Sequence, residues 1–385
     1  MQFEVAKNTL LKAISNVNGA IEKKNTIPVL QNIKIDVIDK NIFLDNQENG
    51  PSSTKKSVSL TATDMDIIIT SSFDTEVIKS GSTTIPAQTF FDIIRKIPEN
   101  SIIIISQEDS SSLIIKSGRS KYNIPCIDSA EFPEINEVDL DNEIEIDSQK
   151  MLKMIDRTKF AISNDETRYN LNGIFLQLVG GDDNKSNEIR TVATDGHRLS
   201  LSFVETASND SFGVIIPKKA VAEIRRVIEN QNKIIISVSD VKIKIKTDDT
   251  IIISKLIDGE FPPYDRVIPK NNSQIAIIHK KTFIDSVERV AIVATDKHRS
   301  IKLSFSNNKL VLQANSSESG FAYEEIDIKY SGDNMDTGFN ARYLADIINQ
   351  IDKEELIMKF SDGMSPAIIE AESLSSLFVI MPIRV

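Results

Sequence analysis

The sequence predicts an α+β fold built from three tandem repeats, each with two helices packed on antiparallel sheets. The first observation is a recurring segment: residues 85–95 return at 216–226, and a weaker copy begins at residue 339. Two further landmarks repeat at nearly the same spacing, Thr63-Asp64 with Thr194-Asp195 and Phe132-Pro133 with Phe261-Pro262. A period close to one third of the chain predicts three copies of one supersecondary unit.

Each repeat is predicted to begin with one amphipathic helix and to carry a second helix near its middle. In the first helices apolar residues recur three and four positions apart, as at Leu10, Ile14 and Val17. In two copies the second helix follows a proline, Pro86 or Pro217, which the first turn of a helix tolerates. The six predicted helices span residues 6–23, 86–96, 148–160, 217–229, 279–290 and 340–351.

Strands are predicted between the helices, where β-branched residues are abundant. Residues 241–246 alternate strictly between apolar and charged, a pattern typical of a strand with one buried face. Acidic, Asn-rich or Pro-bearing segments interrupt the strand pattern near 137–142 and 269–273. These breaks predict domains at 1–140, 141–270 and 271–385, and the polar stretches 45–57 and 180–188 are predicted to be surface loops.

The composition excludes several classes of protein. Apolar residues make up 40% of the 385 residues and charged residues 26%, which is ordinary for a globular protein and too apolar for a disordered one. Cys126 is the single cysteine, so an intrachain disulfide and a cysteine metal cluster are excluded. The N-terminus lacks a secretory signal, and no apolar run approaches the ~20 residues that span a bilayer, so we expect a cytoplasmic protein.

The net charge argues against a simple basic-patch nucleic-acid binder. The 45 Lys and Arg residues are outnumbered by 56 Asp and Glu residues, which gives a net charge of −11. Such a surface repels the phosphate backbone. The predicted helices, however, hold 17 basic and only 8 acidic residues, so they carry +9 while the rest of the chain carries −20. Positive charge is therefore concentrated on the helices.

The sequence lacks the motifs of common enzymes. It has no glycine-rich phosphate loop, no zinc-protease motif and no hydrolase nucleophile elbow. The three histidines, His197, His279 and His298, have no partners at metal-ligand spacing. We therefore predict no metal ion and no cofactor.

The most distinctive stretch, residues 190–199, has two interpretations. Asp195 and His197 could belong to a hydrolase, with Asp64 as a further acid. Alternatively, the Asp195-Gly196 pair forms a tight turn between two strands, which is the interpretation that the residues favour. The sequence has no second cluster of carboxylates or histidines, which also counts against an enzyme.

Residues 194–199, 261–267 and 379–385 together resemble the motifs of the bacterial sliding clamp family, the β subunits of DNA polymerase III. Residues 117–120 and 168–173 fit the same family, and the resemblance covers essentially the whole chain. It implies three clamp-fold domains that close as a head-to-tail dimeric ring around duplex DNA. It also implies a non-catalytic processivity factor with no cofactor, which tethers the replicative polymerase and clamp-loader subunits through short peptides.

The resemblance also assigns residues to DNA contact. In the family the helices line the hole of the ring, which fits the positive charge on the predicted helices. Contacts to phosphates carry no sequence information, as a sliding ring requires. Asp165 and Asn170 depart from the family pattern beside these positions. The residues matched to DNA contact are Lys24, Arg168, Tyr169 and Lys218.

A second site implied by the resemblance is a pocket between the second and third domains that binds partner peptides. An apolar floor with a few polar groups is what a peptide anchor needs. Pro382 would interrupt a central strand, so we expect it at an edge or rim. The matched residues are Met154, Thr194, Gly196, His197, Arg198, Leu199, Pro262, Arg266, Val267, Ser365, Val379, Met381, Pro382, Ile383, Arg384 and Val385.

The third implied site is the contact between two copies. An edge strand bearing Tyr122 and Ile124 is expected to meet Ile292 and Val293 of the next copy. A head-to-tail contact closes into a ring when its rotation allows. Besides the hydrolase, one further alternative stays open: a structural repeat protein with no role on DNA, against which the charge on the helices speaks.

Overall fold

A computed structural model describes residues 1–22, 26–38, 57–109, 111–134, 143–180, 186–208, 211–295, 299–370 and 375–384. Two predicted site residues, Lys24 and Val385, lie outside the described residues, as do His298, the boundary at 137–142 and most of the predicted loops. The chain divides into two compact units. The first unit comprises Met1–Gln149 and Ala222–Leu256, and the second comprises Lys150–Val221 and Ile257–Val385.

Each of the six predicted helices is present. They are α1 (Lys7–Val17), α2 (Ala87–Lys96), α3 (Ser148–Thr158), α4 (Lys218–Ile228), α5 (Lys280–Ala291) and α6 (Ala341–Asn349).

The first helix ends earlier than predicted, at Val17, and a short 3₁₀ turn, Asn18–Ala20, follows it. The same change occurs in the second repeat, where the 3₁₀ turn Lys159–Ala161 follows α3 without a glycine. The shorter helix with its 3₁₀ turn is therefore shared by the first two repeats.

The described residues form 26 strands, and all of their ladder pairings are antiparallel. In chain order they are β1 (Gln2–Ala6), β2 (Asn32–Val37), β3 (Val58–Thr63), β4 (Ile67–Phe73), β5 (Glu76–Lys79), β6 (Gly81–Pro86), β7 (Ile102–Asp109), β8 (Ser112–Ser117), β9 (Ser120–Pro125), β10 (Glu143–Asp147), β11 (Gly173–Val179), β12 (Asn187–Thr194), β13 (Arg198–Thr206), β14 (Phe212–Pro217), β15 (Lys233–Val238), β16 (Lys242–Lys246), β17 (Thr250–Lys255), β18 (Gln274–His279), β19 (Ser300–Ser306), β20 (Lys309–Ser316), β21 (Gly320–Asp327), β22 (Lys329–Tyr330), β23 (Met335–Asn340), β24 (Glu355–Phe360), β25 (Ala367–Glu370) and β26 (Ser376–Ile380).

The first unit holds a five-stranded and an eight-stranded sheet. Their strand orders are β5-β1-β7-β8-β9 and β10-β15-β16-β17-β4-β3-β2-β6. The larger sheet joins two repeats, because β17 of the second repeat pairs with β4 of the first. The predicted strand at 241–246 is β16, in which Ile243 and Ile245 are buried while the alternating Lys242, Lys244 and Lys246 face the other side.

The second unit holds a nine-stranded and a four-stranded sheet. Their orders are β14-β11-β12-β13-β26-β25-β24-β18-β22 and β21-β20-β19-β23. Here β26 of the third repeat pairs with β13 of the second, so the repeats are joined in the same way as in the first unit. Helices α5 and α6 pack together on a core that includes Phe283, Leu344 and Phe360. Burial of such side chains stabilises the unit by about 2 kcal/mol each.

The turns at the two joins have the same hydrogen bonds. In the first unit, Asp64 Oδ1 accepts hydrogen bonds from the amides of Asp66 (2.9 Å) and Ile67 (2.7 Å). In the second unit, Asp195 Oδ1 accepts hydrogen bonds from the amides of His197 (2.9 Å) and Arg198 (3.0 Å). The predicted tight turn is therefore present, and its acid fixes the turn.

These two turns differ at their left-handed position. Gly196 has a φ of +87°, which glycine adopts without strain, whereas Met65 adopts +78° at the equivalent place. The left-handed region costs a residue with a side chain roughly 1–2 kcal/mol. Met65 is 51% exposed, so its side chain contributes little packing in return.

Replacing Met65 with glycine is expected to stabilise the first unit by up to about 1 kcal/mol, because relief of the strain exceeds the added entropy of the unfolded chain. The denaturant midpoint of the variant, followed by circular dichroism, measures this effect. Met364→Gly is the matched control, since Met364 is also exposed (66%) and is not among the residues with positive φ. Equal destabilisation by both changes would contradict the assignment of strain to Met65.

Candidate functional site

The central feature of the candidate site is the turn between β12 and β13. Thr194 Oγ1 accepts a hydrogen bond from the amide of Gly196 (3.1 Å) and donates one to the carbonyl of Arg198 (2.7 Å). Glycine suits position 196 because its φ is +87°, and a Cβ atom there would also require the guanidinium of Arg168 to shift, since Nη1 would lie 2.8 Å away. His197 is exposed on the turn, with its ring centroid 6.1 Å from that of Tyr343.

Arg198 is buried beneath this turn and is held by three hydrogen bonds. It donates to Asp195 Oδ2 (3.2 Å), to Asp346 Oδ2 (2.5 Å) and to the carbonyl of Phe160 (2.7 Å). Its guanidinium also lies over the rings of Phe160 and Tyr343, 5.0 and 4.4 Å from their centroids. Its side chain is only 8% exposed, so Arg198 acts as a buried support for the turn.

The last strand of the chain runs beside the turn. The amide of Met381 donates to the carbonyl of His197 (2.9 Å), and the amide of Ile383 donates to the carbonyl of Gly338 (2.8 Å). Pro382 follows the end of β26 and is half-buried, so it lies outside the central ladder, as predicted. The strand β25 next to it begins at Ala367, which pairs with Ile380.

An apolar cluster lies under the turn and the last strand. Leu199 and Val379 are 2% and 1% exposed, and they pack with Val192, Leu201 and Tyr264. Partly buried aromatic and aliphatic side chains pack against this cluster. The arrangement provides an apolar floor bordered by the polar turn.

The loop over residues 261–268 borders the floor and is fixed by aromatic side chains. The rings of Phe261 and Phe175 stack with centroids 4.8 Å apart. Tyr264 donates a hydrogen bond to Gln177 Oε1 (2.9 Å) and accepts one from Arg190 Nη1 (3.3 Å). Burial raises the pKa of Tyr264, so its hydroxyl stays protonated and able to donate.

The structure brings most of the predicted pocket residues together. The turn carries Thr194 to Leu199, and the adjacent chain end carries Val379 to Arg384. Pro262 is half-buried on the bordering loop, and Arg266 and Val267 are exposed there. Met154 is buried (1% exposed), as are Leu199 and Val379, and its carbonyl accepts a hydrogen bond from the hydroxyl of Thr191.

Ser365 lies in the loop before β25, where Asp362 fixes it. Asp362 Oδ1 accepts hydrogen bonds from the amides of Met364 and Ser365, both at 2.8 Å. The hydroxyl of Ser365 donates to Oδ2 of the same carboxylate (2.8 Å). These hydrogen bonds, led by that of the Ser365 hydroxyl, lower the pKa of Asp362. Because β25 pairs with β26, the loop lies next to the segment that follows β26.

A polar cleft of about 320 Å³ adjoins the turn. Arg168, His197 and Arg342 line it, together with two carboxylates that are each paired with an arginine. The full lining is Ile162, Ser163, Asn164, Asp165, Arg168, Asp195, His197, Arg198, Arg342 and Tyr343.

Three of the predicted DNA-contact residues are neighbours beside this cleft. Arg168 and Tyr169 belong to the 3₁₀ segment Glu166–Leu171, and Tyr169 is 59% exposed. The amide of Lys218 donates to the carbonyl of Asn172 (3.0 Å), which brings the start of α4 to the same segment. The ammonium of Lys218 donates to Asn164 Oδ1 (2.6 Å).

The two departures noted beside these residues have definite roles. Asp165 forms an ion pair with Arg168 (3.0 Å). Hydrogen bonds from Thr167, and then the contact with Arg168, lower the pKa of the Asp165 carboxyl, so it stays charged. Asn170 donates a hydrogen bond to the carbonyl of Glu260 (3.0 Å). Asp165 thus offsets part of the positive charge at this place.

Models of one protein family match nearly the whole chain. The DNA polymerase III beta subunit N-terminal domain matches residues 1–49 and 52–136. The central domain of the same subunit matches residues 145–263, and its C-terminal domain matches residues 265–384. The chain belongs to the DNA polymerase III beta subunit family. The α+β clamp fold predicted from the sequence is confirmed with it.

Individual sliding clamps support this membership over their full length. The chain is 34% identical over 392 residues to the beta sliding clamp of Caulobacter vibrioides, and each chain covers 100% of the other. It is 32% identical over 388 residues to that of Escherichia coli, again with 100% coverage of both. The predicted role as a processivity factor of DNA replication is confirmed by this relationship.

Solved sliding clamps have the same fold. A crystal structure of the Bartonella birtlesii clamp, bound to griselimycin, superposes with a TM-score of 0.91 at 35% identity and 100% coverage of both chains. A Pseudomonas aeruginosa DNA polymerase III subunit beta gives a TM-score of 0.91 at 31% identity, also with 100% coverage of both.

Positive charge remains concentrated on the helices when their observed bounds are used. The six helices contain 15 Lys and Arg residues and 6 Asp and Glu residues, a net charge of +9 in a chain of net charge −11. Within the described residues, no group of three or more His, Cys, Asp or Glu side chains is placed to hold a metal ion. No helix in the described part of the chain has the length and apolar character needed to cross a membrane.

The residues predicted for contact between copies differ in exposure, and one of them, Ile124, is buried within its own unit (9% exposed). Tyr122 and Ile124 belong to β9, an edge strand of the five-stranded sheet in the described residues. Ile292, just after α5, is 76% exposed, and Val293 is half-buried. Phe321 and Tyr323, two residues apart on the edge strand β21, are exposed by 62% and 54%.

Proposed function

We propose that two copies of this chain close head to tail into a ring that encircles duplex DNA and slides along it. In this proposal the ring is non-catalytic, works in the cytoplasm, and tethers the replicative polymerase and clamp-loader subunits. The observation that carries the proposal is the concentration of positive charge on the helices of an acidic chain. Each copy is proposed to consist of three clamp domains, at 1–140, 141–270 and 271–385.

Enclosure explains how an acidic protein can stay on DNA. A ring needs no tight contact with bases, since its topology prevents dissociation. Diffuse attraction between basic side chains and phosphates keeps the duplex centred without reading its sequence. Lys24, Arg168, Tyr169 and Lys218 are the proposed contacts. Exposure of Arg168, Tyr169 and Lys218 supports this assignment.

The proposed anchor for partner peptides is the apolar floor over the buried Leu199 and Val379, where the partly buried Phe261 and Ile268 pack against their cluster. An extended peptide could place apolar side chains on this floor, between the turn and the loop 261–268. His197 and Met381 border the floor. The amide of Met381 donates a hydrogen bond to the carbonyl of His197 (2.9 Å), which holds the two residues next to each other. Arg198 supports the turn from below, because its guanidinium is held by Asp195, Asp346 and the carbonyl of Phe160.

The hydrolase alternative gains no support from the turn. The carboxylate of Asp195 is occupied by two backbone amides and by Arg198. Asp64 accepts the equivalent amide bonds in the other turn. Both acids therefore act as turn residues, which is also the simpler explanation of their recurrence in the sequence.

Retention on DNA tests the topological part of the proposal. The clamp, loaded on a nicked circular plasmid by a clamp loader, is expected to co-elute with the DNA in gel filtration. Cutting the plasmid with a restriction enzyme should release it within minutes, because the ring slides off the free ends. Equal retention on circular and linear DNA would exclude the sliding ring.

Replacing His197 and Met381 with alanine tests the pocket. The double variant is expected to bind a fluorescent clamp-motif peptide at least tenfold more weakly in fluorescence polarisation, since both side chains border the floor. Its mass in solution should not change. Met65→Ala is the matched control, because Met65 occupies the equivalent turn of the first repeat. Unchanged affinity of the double variant would refute the pocket assignment.

Replacing Asp165 with asparagine tests the DNA face. Loss of this carboxylate frees Arg168, so the affinity for a short duplex at low salt should rise about two- to threefold. The slope of log affinity against log salt should become steeper by up to about one. Asp336→Asn, which breaks a similar ion pair with Lys302 (2.8 Å) on β19, is the control. If both variants bind equally well, the effect is not specific to this face.

A further inference from the structure

The second helix of each repeat carries an acid at its sixth residue. These acids are Asp92 on α2, Glu223 on α4 and Asp346 on α6. Each forms an ion pair with an arginine, at 3.1 Å with Arg95, 2.7 Å with Arg226 and 2.5 Å with Arg198. Two of these arginines come from the helix itself, and the third, Arg198, is the first residue of β13.

In the first unit, this pair binds the end of another helix. Arg226 donates to the carbonyls of Ser15 and Asn16, both at 2.6 Å, while it also donates to Glu223. Ser15 and Asn16 lie in the last turn of α1, where carbonyls lack partners within the helix and carry partial negative charge. The guanidinium therefore joins the acid on α4 to the end of α1.

In the second unit, Arg198 makes the corresponding connection. It joins Asp346 on α6 to the carbonyl of Phe160, two residues beyond the end of α3 (2.7 Å). Both connections thus run from the second helix of one repeat, through a guanidinium, to the end of the first helix of the repeat before.

The third pair is the most exposed of the three. The side chains of Arg95 and Asp92 are 55% and 44% exposed, against 36% and 16% for Arg226 and Glu223. The guanidinium is already oriented by Asp92 and by the ring of Phe91, whose centroid is 5.4 Å away. Within the described residues, Arg95 donates a hydrogen bond to Asp92 but none to a helix carbonyl.

The matching helix end belongs to α5. Leu10, Ile14 and Val17 on α1 align with Phe283, Val287 and Val290 on α5, so Ser15 and Asn16 correspond to Glu288 and Arg289.

Side-chain sizes fit this correspondence. Glu223 faces Gly19, where a Cβ atom would overlap its carboxylate. The residue equivalent to Gly19 is Phe160 in the second repeat and Ile292 in the third. The acid joined to Phe160 is Asp346, and the acid proposed to meet Ile292 is Asp92; both are one methylene shorter than Glu223. Ile292 is 76% exposed, as expected for a residue whose partner belongs to another copy.

We propose that the Asp92–Arg95 pair binds the carbonyls of Glu288 and Arg289 on a second copy of this chain. The contact rests on the head-to-tail dimer of the proposed function and names the polar interaction that closes it. Arg95 is the residue on which the contact depends, because its planar fork can donate to two carbonyls while it stays paired with Asp92.

The dissociation constant of the dimer, measured by sedimentation over a dilution series, tests the contact. Arg95→Ala should weaken each of the two equal contacts about tenfold, so the dimer dissociation constant should rise about a hundredfold. Arg95→Lys should give an intermediate loss, because an ammonium lacks the fork. Lys96→Ala, which removes the neighbouring positive charge, should leave the constant unchanged.

The outcomes separate this contact from the ring itself. If the unmodified chain is a monomer at all concentrations, the ring and this contact both fail. If the unmodified chain is a dimer and Arg95→Ala dissociates no more readily than Lys96→Ala, only this contact is refuted.

A cross-link provides a second measurement that does not depend on the stability of the Arg95 variants. Asp92→Cys combined with Ile292→Cys, in a Cys126→Ser background, should form a disulfide between copies when oxidised glutathione is added. The product should migrate at twice the chain mass and revert on reduction. Lys96→Cys with Ile292→Cys is the control. Equal cross-linking of both pairs, or none with the first, would overturn the proposed geometry.

Discussion

Antiparallel pairing between successive repeats is the interaction on which the rest of the structure depends. β17 pairs with β4 in the first unit and β26 with β13 in the second, and each pairing extends one sheet across two repeats. The ladder satisfies backbone groups that would otherwise lie at an exposed sheet edge. It also sets the carboxyl-terminal segment beside the turn at Gly196, so the apolar floor is a by-product of the way the repeats are joined.

The acids at the two turns make the same local hydrogen bonds in two different surroundings. Asp64 and Asp195 accept equivalent backbone hydrogen bonds, yet the residues after them diverge. In the first unit Ile67 enters the core, and Asp66 pairs with Lys255 at the surface (2.9 Å). In the second unit Arg198 is buried between two rings, and His197 and Met381 stay available at the border of the floor. The second join is therefore the one at which the peptide pocket is proposed.

Local patterns made much of this predictable. Helical periodicity located all six helices, and the Asp195-Gly196 pair located the turn, because both depend on residues close in sequence. The burial of Arg198 was not predictable, since it depends on Asp346, 148 residues away. The contact of Arg226 with the carbonyls of Ser15 and Asn16 likewise joins residues more than 200 positions apart. The network of Tyr264 with Gln177 and Arg190 has the same origin in distant strands.

The guanidinium contacts within a chain differ from the one proposed between copies, because only the contacts within a chain join helices that the polypeptide also links. Within a chain, the two helix ends that meet are held near each other by the polypeptide, at an effective concentration far above that of free protein in solution. The contact proposed between copies lacks this advantage, so its occupancy should fall on dilution. The proposed ring would therefore open first where no polypeptide crosses, and the joins within each chain would stay closed.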